Sequence, residues 1–193
     1  MGTLTSLYPT PSSNSILEVV EGVADGRTVS VNGTGYTFTN VTSTKVLTTS
    51  FQEVPGCTIS YVPPTDAKYV SYKAYIKQFS NGQGGIMGYH LTVDGTKVGY
   101  SNRHLSGNYS NGGNAHTQFQ LVAMYVFDLT TGSTDIDKGR INGWTTAKEI
   151  KAMAREYDGT YQSSLNLNNW EDGTSASGTE AYDQPVVQII AYG

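Results

Sequence analysis

The chain has 193 residues, a formal net charge of −4 from 12 Lys+Arg against 16 Asp+Glu, and a single cysteine. That balance argues against a nucleic-acid binder, which is normally basic with a clustered Lys/Arg face, and the lone Cys57 excludes an internal disulfide and a cysteine-based zinc centre. A chain of this length buries roughly 70% of its unfolded surface, so it needs no such staple to fold.

Composition points to strands. There are 14 Tyr against 5 Phe, and Thr, Val and turn-forming Gly, Asn and Ser recur throughout, the vocabulary of short strands joined by tight turns. No apolar run approaches the ~20 residues of a membrane span. The start, Met-Gly-Thr-Leu-Thr-Ser, has neither the basic opening nor the apolar stretch of a signal peptide. A product made in the cytoplasm, without membrane insertion, is the expectation.

In chain order, residues 1–15 are Ser/Thr/Pro-rich, and Pro9 and Pro11 block a helix, so an extended arm is expected there. Strand-like runs follow at Ile16–Val23, Arg27–Val31, Tyr36–Val41 and Lys45–Ser50. Asp25-Gly26 and Asn32-Gly33 supply turns, the latter a strong two-residue hairpin signal. Residues 16–50 are expected to form a small β unit of their own. Cys57–Val62 reads as a strand stopped by Pro63-Pro64.

The clearest alternation is in Lys68–Phe79, where Val70, Tyr72, Ala74 and Ile76 share one face and Ser71, Lys73, Tyr75 and Lys77 the other. Asn81–Gly85 is a glycine-rich loop. Met87, Tyr89, Leu91 and Val93 form one face of a strand closed by the Asp94-Gly95 turn, and Thr96–Tyr100 returns from it. Ser101–Asn114 reads as a long polar loop. Phe119–Phe127 and Val186–Tyr192 are near-continuous apolar runs; the first is expected as a central strand buried on both faces. Thr145–Tyr157 is ambiguous. Its helix formers place Ile150, Met153, Ala154 and Tyr157 at helical spacing, yet Ile150, Ala152 and Ala154 also alternate as in a strand. Gly173–Gly178 is a Gly/Ser/Thr loop.

Chemistry-bearing patterns are sparse. His90, His104 and His116 lie too far apart in sequence for a metal-gripping pair, and His90 is expected at a solvent or interface position. Asp135 and Asp137, with Asp128 upstream, faintly resemble a calcium loop but lack its later Gly and bidentate Glu, so a solvated turn is expected. Cys57 reads as a small buried thiol. Phosphate-binding, dinucleotide and nucleophile-elbow motifs are missing. The Asn32, Asn40 and Asn108 glycosylation triplets read as chance in an Asn/Thr-rich chain. No catalytic residue, cofactor or metal site is assigned. Tyr89, Tyr100, Tyr109 and Tyr161, taken as loop tyrosines, suit sugar stacking or a protein interface.

Val54-Pro55-Gly56, Ile59-Ser60-Tyr61, Pro63-Pro64 and Val70 to Tyr72 together resemble the opening of a module in tailed-bacteriophage virion structural proteins. That module is a compact jelly-roll like those of tumour-necrosis-factor and C1q heads. His90–Val98 matches its Asp-Gly hairpin, and Arg155-Glu156-Tyr157, Asn169-Trp170 and Val187–Tyr192 continue the pattern. Residues 15–42 also resemble the N-terminal unit that precedes such modules in marine-type phage proteins. The resemblance selects strand for 145–157. It implies an all-β antiparallel jelly-roll over 51–193, preceded by the 16–50 unit attaching to the particle and the arm 1–15. It further implies a homotrimer whose aromatic and aliphatic side chains, including Val186–Tyr192, pack about the threefold axis.

Two functions follow as expectations. The first is a non-enzymatic capsid decoration (cement) protein at the virion surface, partnered by itself and by the major capsid protein or another virion protein. The second is a head- or tail-fibre module recognising a host surface glycan, with Tyr109, Asn111 and His116 in the ligand loop.

Overall fold

The computed structural model describes residues 15–80, 86–106, 117–157, 159, 163–168 and 182–193. Among these residues twelve strands are laid down in chain order: β1 (Ile16–Val23), β2 (Thr28–Val31), β3 (Thr34–Thr37), β4 (Lys45–Val46), β5 (Gln52–Tyr61), β6 (Tyr69–Ser80), β7 (Ile86–Val93), β8 (Thr96–Ser106), β9 (Thr117–Asp128), β10 (Lys148–Glu156), β11 (Ser163–Leu165) and β12 (Val186–Tyr192). A six-stranded antiparallel sheet runs β1-β12-β6-β11-β4, with β9 on the other side of β6, and a four-stranded sheet runs β5-β10-β7-β8. The chain passes back and forth between the two sheets, the strand order of a jelly-roll sandwich. The protein is therefore all-β, as its composition indicates.

One apolar core fills the space between the sheets. Val70, Tyr72, Ala74 and Ile76 are all fully buried on the inner face of β6, as their alternation requires. They meet Ile59 and Tyr61 of β5, Leu91 and Val93 of β7, and Ile150, Ala152 and Ala154 of β10 within the same cluster. The Tyr72 hydroxyl sits inside this core and donates to the Cys57 carbonyl at 2.7 Å, so its one polar atom is satisfied. Burial pushes the Cys57 thiol well above its ordinary value, so it is an inert packing group.

The turns form where the dipeptides place them. Asn32 and Gly33 have φ of 49° and 82°, and Asp94 and Gly95 of 48° and 78°, the paired left-handed conformations of a two-residue hairpin. Gly56 is more constrained still. Its φ is +79°, and a Cβ there would lie 2.6 Å from both Ala24 Cβ and Val41 Cγ2. It stands beside Pro55 in a bulge of β5, where the register with β10 jumps from Thr58↔Lys151 to Glu53↔Met153. A proline is tolerated at such a bulge because the ladder is already interrupted.

The strand that the resemblance selects at 145–157 is present, while the expectations for Phe119–Phe127 and for the segment from Ser101 are corrected. Segment 145–157 contains a strand, β10, paired on one side with β5 and on the other with β7. Two full backbone ladders outweigh the helix propensity of Ala, Lys and Glu, which is only tenths of a kcal/mol per residue. The run Phe119–Phe127 is not central: among the described residues β9 pairs only with β6 along its length. It buries Leu121, Ala123 and Phe127 and leaves Met124 and Val126 about half exposed. The segment read as a loop from Ser101 is strand as far as Ser106, with Ser101 buried and its Oγ accepting from the Leu91 amide at 2.8 Å. β1 pairs with β12 from Ile16↔Tyr192 to Val23↔Val186, so the first strand of the 16–50 segment lies within the large sheet. β2 and β3 form a two-stranded hairpin beside it.

Candidate interaction surface

The outer face of the six-stranded sheet is built by residue rows that the register defines. Val19, Ile190, Ser71 and Val126 form one row, and Val23, Val186, Tyr75 and Val122 another. A third row, Ile16, Tyr192, Tyr69 and Asp128, closes one end. Between the two valine-rich rows runs Glu21, Gln188, Lys73 and Met124, where Gln188 Nε2 donates to the Glu21 carboxylate. The face is thus apolar and aromatic around one polar stripe. Ile16, Val19, Met124 and Val126 remain 60%, 42%, 46% and 48% exposed. Exposed apolar side chains thus stand on both outer strands of this face, β1 and β9, and apolar exposure of this kind marks an interaction surface.

The free edge of β9 adjoins that face. It is tied at two points: the Tyr89 hydroxyl donates to the mid-strand Val122 carbonyl at 3.2 Å, and Ile141 N–H donates to the Asp128 carbonyl at the strand's end at 2.9 Å. Between those points no described residue pairs with the outward backbone of Met124 and Val126. An open edge beside an apolar face is a further reason to expect a covering partner.

The opposite, four-stranded sheet presents a different chemistry. Phe51, just before β5, reaches over to His90 of β7, with ring centroids 4.2 Å apart and edge-on. His90 is only 6% exposed. Burial and the nearby Lys97 charge push its pKa down to about 4. Of the solvent or interface position expected for it, the solvent one is corrected: it lies on the outer face, but beneath Phe51. Lys97 Nζ and the Arg155 guanidinium lie 6.0 and 5.3 Å from the centre of the Phe51 ring, at cation–π range.

Other residues singled out by sequence fall as follows. Tyr109, Asn111 and His116 lie outside the described residues, as do the arm 1–14, the loop 81–85, Tyr161 and residues 169–181. Tyr89 is a buried strand residue, whereas Tyr100 is 58% exposed. His104 is exposed. Asp135 belongs to a solvated turn: it caps the short 3-10 turn Ile136–Lys138 and pairs with Lys138 Nζ at 2.8 Å. Among the described residues no group of three His, Cys, Asp or Glu is placed to hold a metal ion, and no helix is long and apolar enough to cross a membrane.

Sequence reasoning missed Glu18, whose spacing suggests no partner. It is buried and accepts from the Tyr61 hydroxyl at 3.0 Å, the Tyr36 hydroxyl at 3.4 Å and Asn32 Nδ2 at 3.0 Å. Desolvation, reinforced by the Glu18 charge, pushes Tyr36 up to about 12. Tyr61 is raised for the same reasons. Because Asn32 and Tyr36 belong to the β2–β3 hairpin, Glu18 clamps that hairpin to the sandwich. A cleft of about 270 Å³ lies among Pro63, Pro64, Leu129 and Trp144. It has no titratable side chain in its lining, so it offers no acid or base for catalysis.

No protein-family model matches the chain, and no curated protein matches it. Among solved structures, a chain of infectious bursal disease virus Gx strain is similar at a TM-score of 0.36 and 13% identity, over 91% of this chain and 36% of that one. A chain of the Gt strain is similar at a TM-score of 0.31 and 13% identity, over 88% and 44%. A third, from the T13 particle of the same virus, gives a TM-score of 0.26 and 12% identity, over 86% and 40%. The chain therefore spans less than half the length of each of these viral chains.

Proposed function

We propose that the protein is a non-enzymatic bacteriophage virion structural protein, a homotrimer that decorates and stabilises the capsid. The observation that carries this reading is the outer face of the six-stranded sheet, where Val19, Ile190 and Val126 in one row and Tyr75 and Val122 in another flank the stripe of Glu21, Gln188 and Lys73, beside an edge that is unpaired at Met124 and Val126 among the described residues. It is supported by the resemblance of the segments around Val54–Tyr61, Val70–Tyr72 and His90–Val98 to phage jelly-roll modules. Three copies packed through this face bury it about a common axis. The arm 1–15, leaving beside Ser15 at the start of β1, then lies on the major capsid protein, with the 16–50 segment next to it.

The mechanism is mass action. A protein that binds only the assembled shell stabilises that shell by its binding free energy, and linking three arms in one trimer raises the avidity. The test is copy number per particle, by quantitative mass spectrometry of purified virions against the major capsid protein, together with particle binding by a variant lacking residues 1–15. Hundreds of copies, and a folded trimer that no longer binds heads without its arm, are expected. A few dozen copies or fewer points to the second reading, a head- or tail-fibre module recognising a host glycan. Lys97 and Arg155, which stand around Phe51 without a carboxylate partner among the described residues, favour that second reading.

A further inference from the structure

The outer face of the four-stranded sheet holds cations of two kinds. Lys151 Nζ is answered by Glu149 at 3.0 Å and Glu53 at 3.4 Å, and Lys148 Nζ by Asp94 at 2.9 Å. Lys97 and Arg155 have no carboxylate partner among the described residues. Arg155 makes only a 3.4 Å hydrogen bond to the Thr49 carbonyl, and both cations gather instead around Phe51. In a chain of net charge −4, this pairing of two unanswered cations is a local feature of the site.

Two further observations point to a ligand. His90, more than nine-tenths buried beneath Phe51, has a ring nitrogen, Nδ1, without a hydrogen-bond partner. Buried polar atoms in folded proteins are almost always paired. Beside it, Arg155 pairs across the ladder with Gly88, and Gly88 with His104. The His104 ring lies over that glycine, its Cδ2 3.2 Å from where a Cβ would stand. Because the middle position of this row has no side chain, the His104 ring takes that space, and two basic residues flank Gly88 on strands about 10 Å apart.

We propose that Lys97, Arg155 and His104, around Phe51 and Gly88, form a binding site for the carboxylate or sulfate group of an acidic glycan. Charge-assisted hydrogen bonds from Lys and Arg hold such a group, and they gain strength where an aromatic ring excludes water on one side. The site is too short for a nucleic-acid backbone, whose binding needs a track of cations meeting successive phosphates. It lies on the sheet opposite the apolar face, so it does not depend on the trimer or on where the protein sits in the particle.

The probes are a sulfated disaccharide and its unsulfated parent. Each is titrated into the full chain by calorimetry at low and physiological salt, with the His90 and His104 ring resonances followed by NMR. The sulfated sugar is expected to bind and to shift both histidines, while the parent does neither. The K97E/R155E double variant should lose about tenfold or more in affinity, equivalent to about 1.4 kcal/mol, with its melting temperature and mass in solution unchanged. Lys97 is exposed, so K97E alone repeats the test if the double variant fails to fold. K68E, at an exposed lysine beyond the start of β6, should bind as wild type. Equal binding of both sugars, wild-type affinity in K97E, equal loss in K68E, or tighter binding of a single-stranded oligonucleotide would each overturn the proposal.

Discussion

Replacing Val126 with aspartate tests the trimer face directly. Val126 is 48% exposed and shares its row with Ser71, Ile190 and Val19. Full burial of a valine is worth about 1.5–3 kcal/mol, and roughly half of that is still to be gained when a neighbour covers it, about 1 kcal/mol per copy. Three copies then contribute about 3 kcal/mol to assembly, a factor of about 100 in the assembly constant. The aspartate adds a carboxylate stripped of water in each interface, at several kcal/mol per ion (about 3 or more). The fold of the single chain should barely notice, because the side chain faces solvent and the cost in β propensity is at most about 1 kcal/mol. Sedimentation velocity across a concentration series should show wild type at three times the chain mass of 20.8 kDa and V126D at the mass of one chain. Two results refute the reasoning: wild type that stays a single chain at micromolar concentration, and V126D that keeps the trimeric mass.

Two further outcomes probe the sandwich itself. Gly22→Ala places a Cβ 2.6 Å from Phe38 Cδ2 and 2.8 Å from Cζ. Phe38 is fully buried, so the variant should lose about 1–3 kcal/mol to overpacking, read as a lower urea midpoint with an unchanged slope; an unchanged midpoint contradicts the contact. His90 should make stability pH-dependent. Its native pKa of about 4 lies below the ordinary 6.5, so between those values the unfolded state binds the proton and the native state does not. Stability therefore falls as pH drops from about 6.5 towards 4, and the H90Q variant should flatten that slope in thermal melts.

The division between what was legible and what was not follows the range of each interaction. Val70, Tyr72, Ala74 and Ile76 announce β6 and its buried face through a spacing of two, and Asn32-Gly33 and Asp94-Gly95 announce their turns through left-handed φ. These depend on neighbours a few residues away, so they are written locally. The strand at Lys148–Glu156 is different: its own residues satisfy helix and strand spacing alike, and the choice comes from β5 and β7, whose ladders close over it on both sides. The apolar run at Phe119–Phe127 looks central because composition cannot tell a second covered face from a face awaiting a partner. It is an edge because, among the described residues, its ladder is with β6 and the Phe119–Phe127 run has no second strand beside it.

The candidate site shows the same limit more sharply. His90, Phe51, Lys97, His104 and Arg155 come from three strands and the approach to a fourth, and no spacing rule links them. Glu18 meets Tyr61 across 43 positions of sequence. By itself the sequence determined an all-β chain, its turns and most of its inner faces, because alternation and left-handed turn residues act over a few bonds. The tertiary structure alone decided which strand is an edge, which apolar face is left uncovered, and which cations go without a carboxylate. Those are properties of how distant segments meet.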